Sequence, residues 1–253
     1  MNRPSPKVLT VIKTERLTPN MHRITLHGPL TADLNWRAGS YVKLILPNPE
    51  TGLLSFDKAD KPKVRTYTAR AFDLKAQTVT IDFAIHQPAG PATTWAMEAQ
   101  VGSQVGFMGP GGLKMDPSLG DWYLFAADMA ALPAAISIME SLGKDAKGYA
   151  LLEVTEEQDQ QQLDIPEGIE VKWLLHPHPE NKSQQQLEAI KSLPVFRGQP
   201  NVFVAGELST IREIKNYFLN ESDMEAGYLY ISSYWKIGLK EEEHKTAKRA
   251  ILS

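Results

Sequence analysis

Cysteine is absent from all 253 residues of the chain. This absence excludes disulfide bridges, thiolate metal sites, iron–sulfur ligation and a cysteine nucleophile. Any redox chemistry must therefore use a bound cofactor that needs no thiol. A strong charge of one sign is also absent, because 27 basic and 30 acidic side chains leave a net charge of -3. No global field attracts a polyanion, so we expect no nucleic-acid partner.

Long apolar runs are missing as well. No stretch approaches the roughly 20 apolar residues that a membrane span needs, and the segment Met1–Lys7 is not followed by the apolar region of a signal peptide. We therefore expect a cytoplasmic protein without membrane insertion. A Gly-x-Gly-x-x-Gly run after the apolar segment Trp122–Ala127 is also lacking, which argues against a standard NAD dehydrogenase.

The first half of the chain carries the pattern of short strands. Thr78–Ile85 alternates apolar and polar residues with the period of a half-buried strand. Many short strands without helices indicate an antiparallel barrel or sandwich. The other predicted strands are Val8–Glu15, Met21–His27, Tyr41–Leu46, Arg65–Phe72 and Gln104–Met108.

After Gly120 the pattern changes to alternating strands and helices, which is typical of a parallel α/β sheet. The length favours two modest domains, and we place them at residues 1–117 and 118–253. Ser209 is a plausible N-cap, and the charged stretch Glu241–Arg249 predicts a solvated C-terminal helix with a Glu241–Lys245 pair. The predicted strands are Trp122–Ala127, Tyr149–Val154, Ile169–Leu175, Asn201–Ala205 and Tyr228–Tyr234, and the predicted helices are Leu132–Leu142, Ser183–Ser192 and Ser209–Asn220.

Two segments carry residue types suited to a nucleotide cofactor. In Arg65-Thr66-Tyr67-Thr68, strand alternation places Arg65 and Tyr67 on one side, where they could meet a phosphate and a planar ring. An edge strand with polar residues facing water is the alternative. The second segment, His86–Trp95, is a small-residue loop before a helix-like stretch, Ala96–Gln100. Its backbone N–H groups suit a phosphate. The alternative is an ordinary helix start capped by Thr93.

The order of these segments resembles the siderophore-interacting proteins, which are FAD-containing ferric-siderophore reductases of the ferredoxin-reductase superfamily. The resemblance spans nearly the whole chain. It implies two domains, an N-terminal antiparallel β-barrel for FAD and a C-terminal α/β parallel-sheet domain. The matching stretches are Pro19–Ile24, Arg65–Thr68, Asp82–His86, Gly90–Ala96, Asp128–Ala134, Ala205–Glu207 and Tyr234–Gly238.

The resemblance also implies roles for individual residues. Arg65 would engage the FAD pyrophosphate, and Tyr67 and Thr68 the isoalloxazine ring. The implied cofactor-binding set is Arg65, Thr66, Tyr67, Thr68, Asp82, Ile85, His86, Gly90, Pro91, Ala92, Thr93 and Thr94. The chemistry would be centred on the flavin, so no catalytic side chain is expected.

An electron donor would approach from the carboxyl edge of the second sheet, around Asp128–Pro133 and Ala205–Glu207. The donor and substrate candidates are Asp128, Ala205, Gly206, Glu207 and Lys236. The family segment resembles Asp-Glu-Thr-Ala-Leu-Pro-Ala, whereas Met129 and Ala130 follow Asp128 here. Because two polar groups are missing, the donor stays open between NAD(P)H and a reduced ferredoxin.

The resulting hypothesis is an FAD-dependent reductase that converts siderophore-bound Fe(III) to Fe(II) and acts as a monomer. Two alternatives are a flavin-dependent ferredoxin or flavodoxin reductase and a non-catalytic siderophore-binding flavoprotein. A resident metal site is not expected. The pair His176 and His178 lacks nearby cysteine or carboxylate partners in the sequence and fits a turn after a strand.

Overall fold

The chain forms two compact units, residues 1–113 and 114–253. The structure is a computed structural model that describes residues 5–31, 34–112, 115–194, 196–221, 229–240, 243–244 and 246–247. The division predicted between residues 117 and 118 lies four residues further along the chain. In the described residues, no helix is both long enough and apolar enough to cross a membrane.

The first unit is a seven-stranded antiparallel sheet with the order β4-β3-β7-β1-β2-β6-β5. One helix, α1 (Pro91–Glu98), lies between β6 and β7 in the chain. The strands are β1 (Lys7–Thr18), β2 (Met21–His27), β3 (Tyr41–Ile45), β4 (Val64–Thr68), β5 (Ala71–Asp73), β6 (Thr78–Ala84) and β7 (Gln104–Gly111).

The prediction of a single strand over Arg65–Phe72 is wrong, because the structure has two strands there, β4 and β5. These two strands lie at opposite edges of the sheet, yet only Ala69 and Arg70 separate them. Three peptide steps span at most about 11 Å. The two edges must therefore come close together, which curls the sheet into the expected barrel. The backbone N–H of Ala69 donates to Ser40 O, and that of Arg70 donates to Thr80 O.

Apolar side chains from every second strand position fill the inside of this unit. On β6, Val79, Ile81 and Phe83 are fully buried, as the alternation predicts. They pack with Leu9, Ile24 and further strand residues into one apolar cluster. The curled sheet thus encloses a continuous core, and α1 contributes Ala92 and Ala96 to it.

The second unit is a five-stranded parallel sheet with the order β10-β9-β8-β11-β12. The chain begins in the middle at β8, moves outward through β9 and β10, and returns to β11 beside β8. Ligands of such sheets bind outside the carboxyl ends of the strands where the order reverses, here between β8 and β11. The elements are β8 (Trp122–Ala127), α2 (Leu132–Glu140), β9 (Lys147–Val154), β10 (Gly168–Leu175), α3 (Gln185–Ser192), β11 (Pro200–Glu207), α4 (Leu208–Asn220) and β12 (Leu229–Trp235).

Two predicted helix starts are wrong. The helix expected over Ala96–Gln100 begins at Pro91, because a proline at the first helical position loses no hydrogen bond and has a fixed helical φ. Its N-cap is Gly90 and not Thr93. The N-cap of α4 is Glu207 and not Ser209, since the Glu207 carboxylate accepts from the backbone N–H groups of Ser209 and Thr210.

The predicted charged C-terminal helix is only partly described. Glu241 and Lys245, the expected ion pair, lie outside the described residues. Between them, His244 is buried, and its Nε2 lies 2.7 Å from the hydroxyl oxygen of Ser233. At least this position packs against the second unit instead of facing water.

Candidate functional site

In the first unit, three of the predicted cofactor segments meet through aromatic contacts. Tyr67 on β4 lies against Phe83 on β6, with ring centroids 4.5 Å apart. Phe83 in turn contacts Trp95 on α1 at 5.9 Å. One cluster therefore joins Arg65–Thr68 to the stretches Asp82–His86 and Gly90–Ala96. We call Tyr67, Phe83 and Trp95 the aromatic cluster.

The side chains of β4 differ in their exposure. Arg65 and Tyr67 are half-buried, Thr66 is exposed and Thr68 is only 6% exposed. Arg65 donates from Nη1 to the carbonyl of Val64 at 3.0 Å. The planar guanidinium fork of Arg65 has the geometry that suits a phosphate.

The start of α1 offers backbone donors without a side-chain acceptor. Gly90 has an extended backbone and no side chain that could cap the helix, and Pro91 has no N–H group. The N–H groups of Ala92 and Thr93 lie in the first turn, where no intrahelical carbonyl accepts from them. Thr94 donates to the carbonyl of Gly90 at 2.9 Å. Such a helix start favours a negatively charged group.

The remaining predicted residues of this unit lie in different surroundings. His86 is exposed, and its ring lies beside Gly90, where an added Cβ would be 3.7 Å from His86 Cε1. Ile85 packs against the apolar core, and its backbone N–H donates to Asn20 O. Neither contact prevents a ligand from reaching the exposed imidazole.

Asp82 is buried inside an ion-pair cluster that sequence reasoning missed. Its two carboxylate oxygens accept from Arg23 Nε and Nη2 at 2.6 and 2.7 Å. Arg70 Nε lies 3.8 Å from the same carboxylate. Arg23 belongs to the motif Pro19–Ile24, so the motif carried the signal, but the pairing with Asp82 is 59 residues away in the chain. Arg23 and Arg70 therefore compensate the charge of the buried Asp82 carboxylate.

These donors fit the diphosphate of FAD. An arginine fork and an open helix start are groups that bind phosphate oxygens. The half-buried rings of Tyr67 and Trp95 add aromatic faces, whereas Phe83 is fully buried. The first unit thus presents groups suited to both the charged and the planar parts of a flavin dinucleotide.

In the second unit, the three predicted segments meet at the carboxyl ends of β8, β11 and β12. Asp128, directly after β8, is their centre. Its Oδ1 accepts from the backbone N–H groups of Ala130 and Ala131 at 3.0 and 3.2 Å. Its Oδ2 accepts from Glu207 N at 2.9 Å and from Trp235 Nε1 at 2.7 Å. One carboxylate therefore joins three strand ends.

Burial raises the pKa of Asp128 to about 7, and the buried Glu153 at the end of β9 adds to this rise. The hydrogen bonds from Trp235 and from the backbone act in the opposite direction. Gly206 passes so close that an added Cβ would lie 2.5 Å from Asp128 Oδ2, and its φ of +154° also favours glycine. The backbone of Ala205-Gly206-Glu207 is thereby shaped around the carboxylate.

Glu207 connects the carboxyl edge of the second sheet to the motif Tyr234–Gly238. Its Oε2 caps α4, and its Oε1 accepts from Ile237 N at 3.2 Å. Lys236 Nζ lies 3.4 Å from Oε1 and donates to Ser209 Oγ at 2.5 Å. The predicted substrate cation Lys236 is therefore compensated by Glu207 and helps to hold this edge together.

Trp235 was not among the predicted site residues, although its neighbour Lys236 was. The motif Tyr234–Gly238 contained it, but only the register of β12 against β11 brings its indole to Asp128. His176 and His178 occupy the turn after β10, and His178 Nδ1 lies 3.3 Å from Glu180 Oε1. Within the described ranges, no three His, Cys, Asp or Glu side chains come together as metal ligands.

Comparison with known proteins matches both units. The model of the siderophore-interacting FAD-binding domain covers residues 10–114, and that of the siderophore-interacting protein covers residues 120–238. The chain belongs to the siderophore-interacting protein family. The resemblance inferred from the ordered motifs is thus confirmed.

Individual members of this family match over nearly full length. Ferric vibriobactin reductase ViuB of Vibrio cholerae is 33% identical and covers 98% of this chain and 95% of its own. The siderophore-interacting protein SipS of Aeromonas hydrophila superposes with a TM-score of 0.85, at 29% identity over 99% of this chain and 98% of SipS. A more distant structure, the ferredoxin reductase in carbazole 1,9a-dioxygenase, is 16% identical with a TM-score of 0.69 over 91% of this chain and 70% of that protein. It shows the shared fold alone, which confirms the ferredoxin-reductase-like class.

Proposed function

We propose that this siderophore-interacting protein is an FAD-dependent ferric-siderophore reductase. The observation that carries the proposal is the 33% identity to ferric vibriobactin reductase over 98% of the chain, together with a matched FAD-binding domain. When bound, FAD would supply single electrons to Fe(III) in a siderophore, and Fe(II) leaves because siderophores hold it less tightly. No side chain needs to act as nucleophile or general base.

The first unit would bind the cofactor through the groups described above. Arg65 and the N–H groups of Ala92 and Thr93 would hold the diphosphate. Tyr67, supported from behind by Phe83, would offer a flat face to the isoalloxazine. The hydroxyls of Thr66, Thr68, Thr93 and Thr94, the small residues Gly90, Pro91 and Ala92, and the side chains of Ile85 and His86 complete the proposed binding set.

Asp82 would act through its partners. Its carboxylate is enclosed by Arg23 and lies near Arg70, so it orients these guanidinium groups and does not itself face an anion. A buried carboxylate that holds arginines in one orientation lowers the entropy lost when they bind phosphate. We therefore assign Asp82 a positioning role in the cofactor site.

The second unit would receive the electron donor at the edge centred on Asp128. Ala205, Gly206 and Glu207 shape this edge, and Lys236 fixes Glu207. The sheet order supports this placement, because ligands of such sheets bind at the carboxyl ends of the strands where the order reverses, here β8 and β11. NADH, NADPH and reduced ferredoxin are the candidate donors.

The decisive experiment combines cofactor and turnover. The purified protein is expected to show a flavin spectrum or to take up FAD. After anaerobic reduction, addition of a ferric siderophore with an Fe(II) indicator should reoxidise the flavin and colour the indicator. NADH, NADPH and reduced ferredoxin are then supplied separately to identify the donor. A protein that takes up no FAD, or whose reduced flavin is not oxidised by any ferric siderophore, would refute the proposal.

Arg65→Ala tests the cofactor site directly. Loss of charge-assisted hydrogen bonds worth about 1.5–3 kcal/mol should weaken FAD binding about 10- to 140-fold. The matched control is Lys63→Ala, which removes an exposed cation two residues earlier. Equal FAD affinity in both variants would remove Arg65 from the diphosphate site.

The cellular setting is part of the same proposal. We expect the reduction to occur in the cytoplasm and the protein to act as a monomer. Cell fractionation and light scattering after size-exclusion chromatography measure these two properties. A membrane-bound or dimeric protein would contradict them without affecting the flavin chemistry.

A further inference from the structure

Strand β12 contains one extra residue at the carboxyl edge of the second sheet. Ser233 pairs with Gly206 and Trp235 pairs with Glu207, so Tyr234 is inserted between two pairs that are adjacent on β11. A one-residue change of register turns a side chain to the opposite face of a sheet, and bulges of this kind re-aim side chains beside functional sites. The insertion therefore determines on which face of the sheet the indole of Trp235 lies.

The side chain of Ser233 bridges this insertion. Its hydroxyl donates to the carbonyl oxygen of Trp235 at 3.0 Å. Because a hydroxyl has only one proton, His244 Nε2, which lies 2.7 Å from Ser233 Oγ, is the donor of the second bond at this oxygen. Ser233 and His244 are 1% and 5% exposed, so water cannot replace either bond. Two hydrogen bonds in series thus connect the His244 imidazole to the main chain of Trp235.

Local hydrogen bonds hold His244 at this place. Its backbone N–H donates to the carbonyl of Lys240 at 2.9 Å, and the Glu243 carboxylate accepts from Lys240 N at 3.0 Å. Before them, Leu239 N donates to the carbonyl of Lys236 at 3.1 Å. These bonds return the chain to the end of β12 a few residues after leaving it, so His244 reaches Ser233 as part of an ordered stretch.

The indole of Trp235 completes the series by donating from Nε1 to Asp128 Oδ2 at 2.7 Å. Burial and the repulsion from Glu153 raise the pKa of Asp128, and the bonds from Trp235 and from Glu207 N lower it. Tyr234 also interacts with Asp128, but burial raises the pKa of Tyr234 well above 10, so this side chain stays neutral. A displaced Trp235 indole would therefore be seen as a further rise in the pKa of Asp128.

We propose that His244 is a positioning residue of the edge that receives the electron donor. Through Ser233 and the main chain of Trp235, it holds the indole in the orientation that binds Asp128. This inference rests on the proposed function, because the role of the edge in taking up electrons is part of that proposal. It assigns a role in the site to the C-terminal stretch, for which the sequence indicated only a solvated helix.

Substitutions within the series test this role. His244→Phe and Ser233→Ala remove the bonds, whereas His244→Gln keeps an N–H donor at the end of the side chain. The control is His178→Phe, which changes an exposed histidine of the same unit. The readout is the indole N–H resonance of Trp235 in protein with isotope-labelled tryptophan, followed by NMR across neutral pH. Trp122, whose indole N–H is bonded within the same unit, provides the internal reference.

We expect His244→Phe and Ser233→Ala to shift the Trp235 resonance. The midpoint of its pH titration, set by the buried carboxyl pKa of about 7 in the wild type, should rise in both variants. His244→Gln and the control should match the wild type, and the Trp122 resonance should stay in place. The donor among NADH, NADPH and reduced ferredoxin that reduces the wild-type flavin serves for kinetics. The two variants should need about fivefold more of it for half-maximal reduction, the effect of one hydrogen bond.

The proposal is overturned if His244→Phe leaves the Trp235 resonance unchanged, or if His244→Gln shifts it as much as His244→Phe. An equal shift of the Trp122 resonance has the same meaning, because the change is then a general loss of structure. So does an unchanged donor requirement beside a shifted Trp235 resonance. Each of these results leaves the proposed function intact. If none of the three donors reduces the wild-type flavin, the proposed function fails, and the positioning role fails with it.

Discussion

Glu207 supports the end of β11, the start of α4 and the segment after β12 with a single carboxylate. In Glu207→Ala, the capping bonds to Ser209 N and Thr210 N are lost, which costs about 0.5–2 kcal/mol. The backbone N–H of the half-buried Ile237 loses its acceptor, at about 1 kcal/mol, the lower end of the cost of an unsatisfied donor. The freed ammonium of Lys236 can turn to water, because its side chain is 28% exposed. Together we expect a loss of up to about 3 kcal/mol.

Lys236→Met is the matched comparison. It removes the ion pair at 3.4 Å and the bond to Ser209 Oγ but leaves all three backbone donors on Glu207. Because the Lys236 side chain is 28% exposed and its charge is screened by water, we expect this ion pair to contribute only about 0–1 kcal/mol. Lys236→Met should therefore lose less than a third of the stability that Glu207→Ala loses.

Hydrogen exchange of the α4 amides, read by mass spectrometry, measures the difference locally. If exchange of these amides requires local unfolding of α4, a loss of 3 kcal/mol speeds it about a hundredfold. Urea unfolding followed by circular dichroism gives the corresponding global value. If Glu207→Ala exchanges like the wild type, or if Lys236→Met exchanges as fast as Glu207→Ala, the capping argument is refuted.

Two further predictions concern the second unit. Gly148→Ala should destabilise it by at least about 2 kcal/mol, because the new Cβ would lie 1.9 Å from the backbone oxygen of Tyr123. The control is Gly143→Ala, whose Cβ would meet only the tip of a side chain. Equal melting temperatures of the two variants would contradict this prediction. Asp128 has a folded-state pKa of about 7, above its unfolded value near 3.9, so its contribution to stability is full below about pH 4 and is lost as the pH rises to 7. Asp128→Asn should flatten the pH dependence of urea unfolding between pH 5 and 8 by up to about 3 kcal/mol, and an unchanged slope would show that the carboxyl is already ionised at pH 5.

Local patterns predicted the elements of the first unit well where one face of a strand is buried. The alternation of Thr78–Ile85 corresponds to β6 because its inward positions enter the core. The break between β4 and β5 was missed, since no glycine or proline marks it. The backbone N–H groups of Ala69 and Arg70 instead donate to Ser40, just before β3, and to Thr80 on β6, and such tertiary contacts leave no local signal.

In the sites too, features set by local sequence were predictable, whereas contacts between residues far apart in the chain were not. The start of α1 was readable in principle, because Pro91 after Gly90 is a helix-start signal. The meeting of the edge residues in the second unit followed from the parallel strand order. The partners of the buried acids could not be predicted in this way. The pairs Arg23–Asp82 and Asp128–Trp235 depend on the register of strands, and their members lie 59 and 107 residues apart in the chain.

The two-residue step between β4 and β5 has a consequence for how a cofactor is received. Thr68, the last residue of β4, is followed after Ala69 and Arg70 by a strand on the other edge of the sheet. Tyr67 and Thr68 therefore cannot shift far without separating the two edge strands, β4 and β5. Their geometry is set by folding and not by the ligand, so little ordering entropy remains to be lost on binding. Variants that lower the free energy of unfolding of this unit should therefore also bind FAD more weakly.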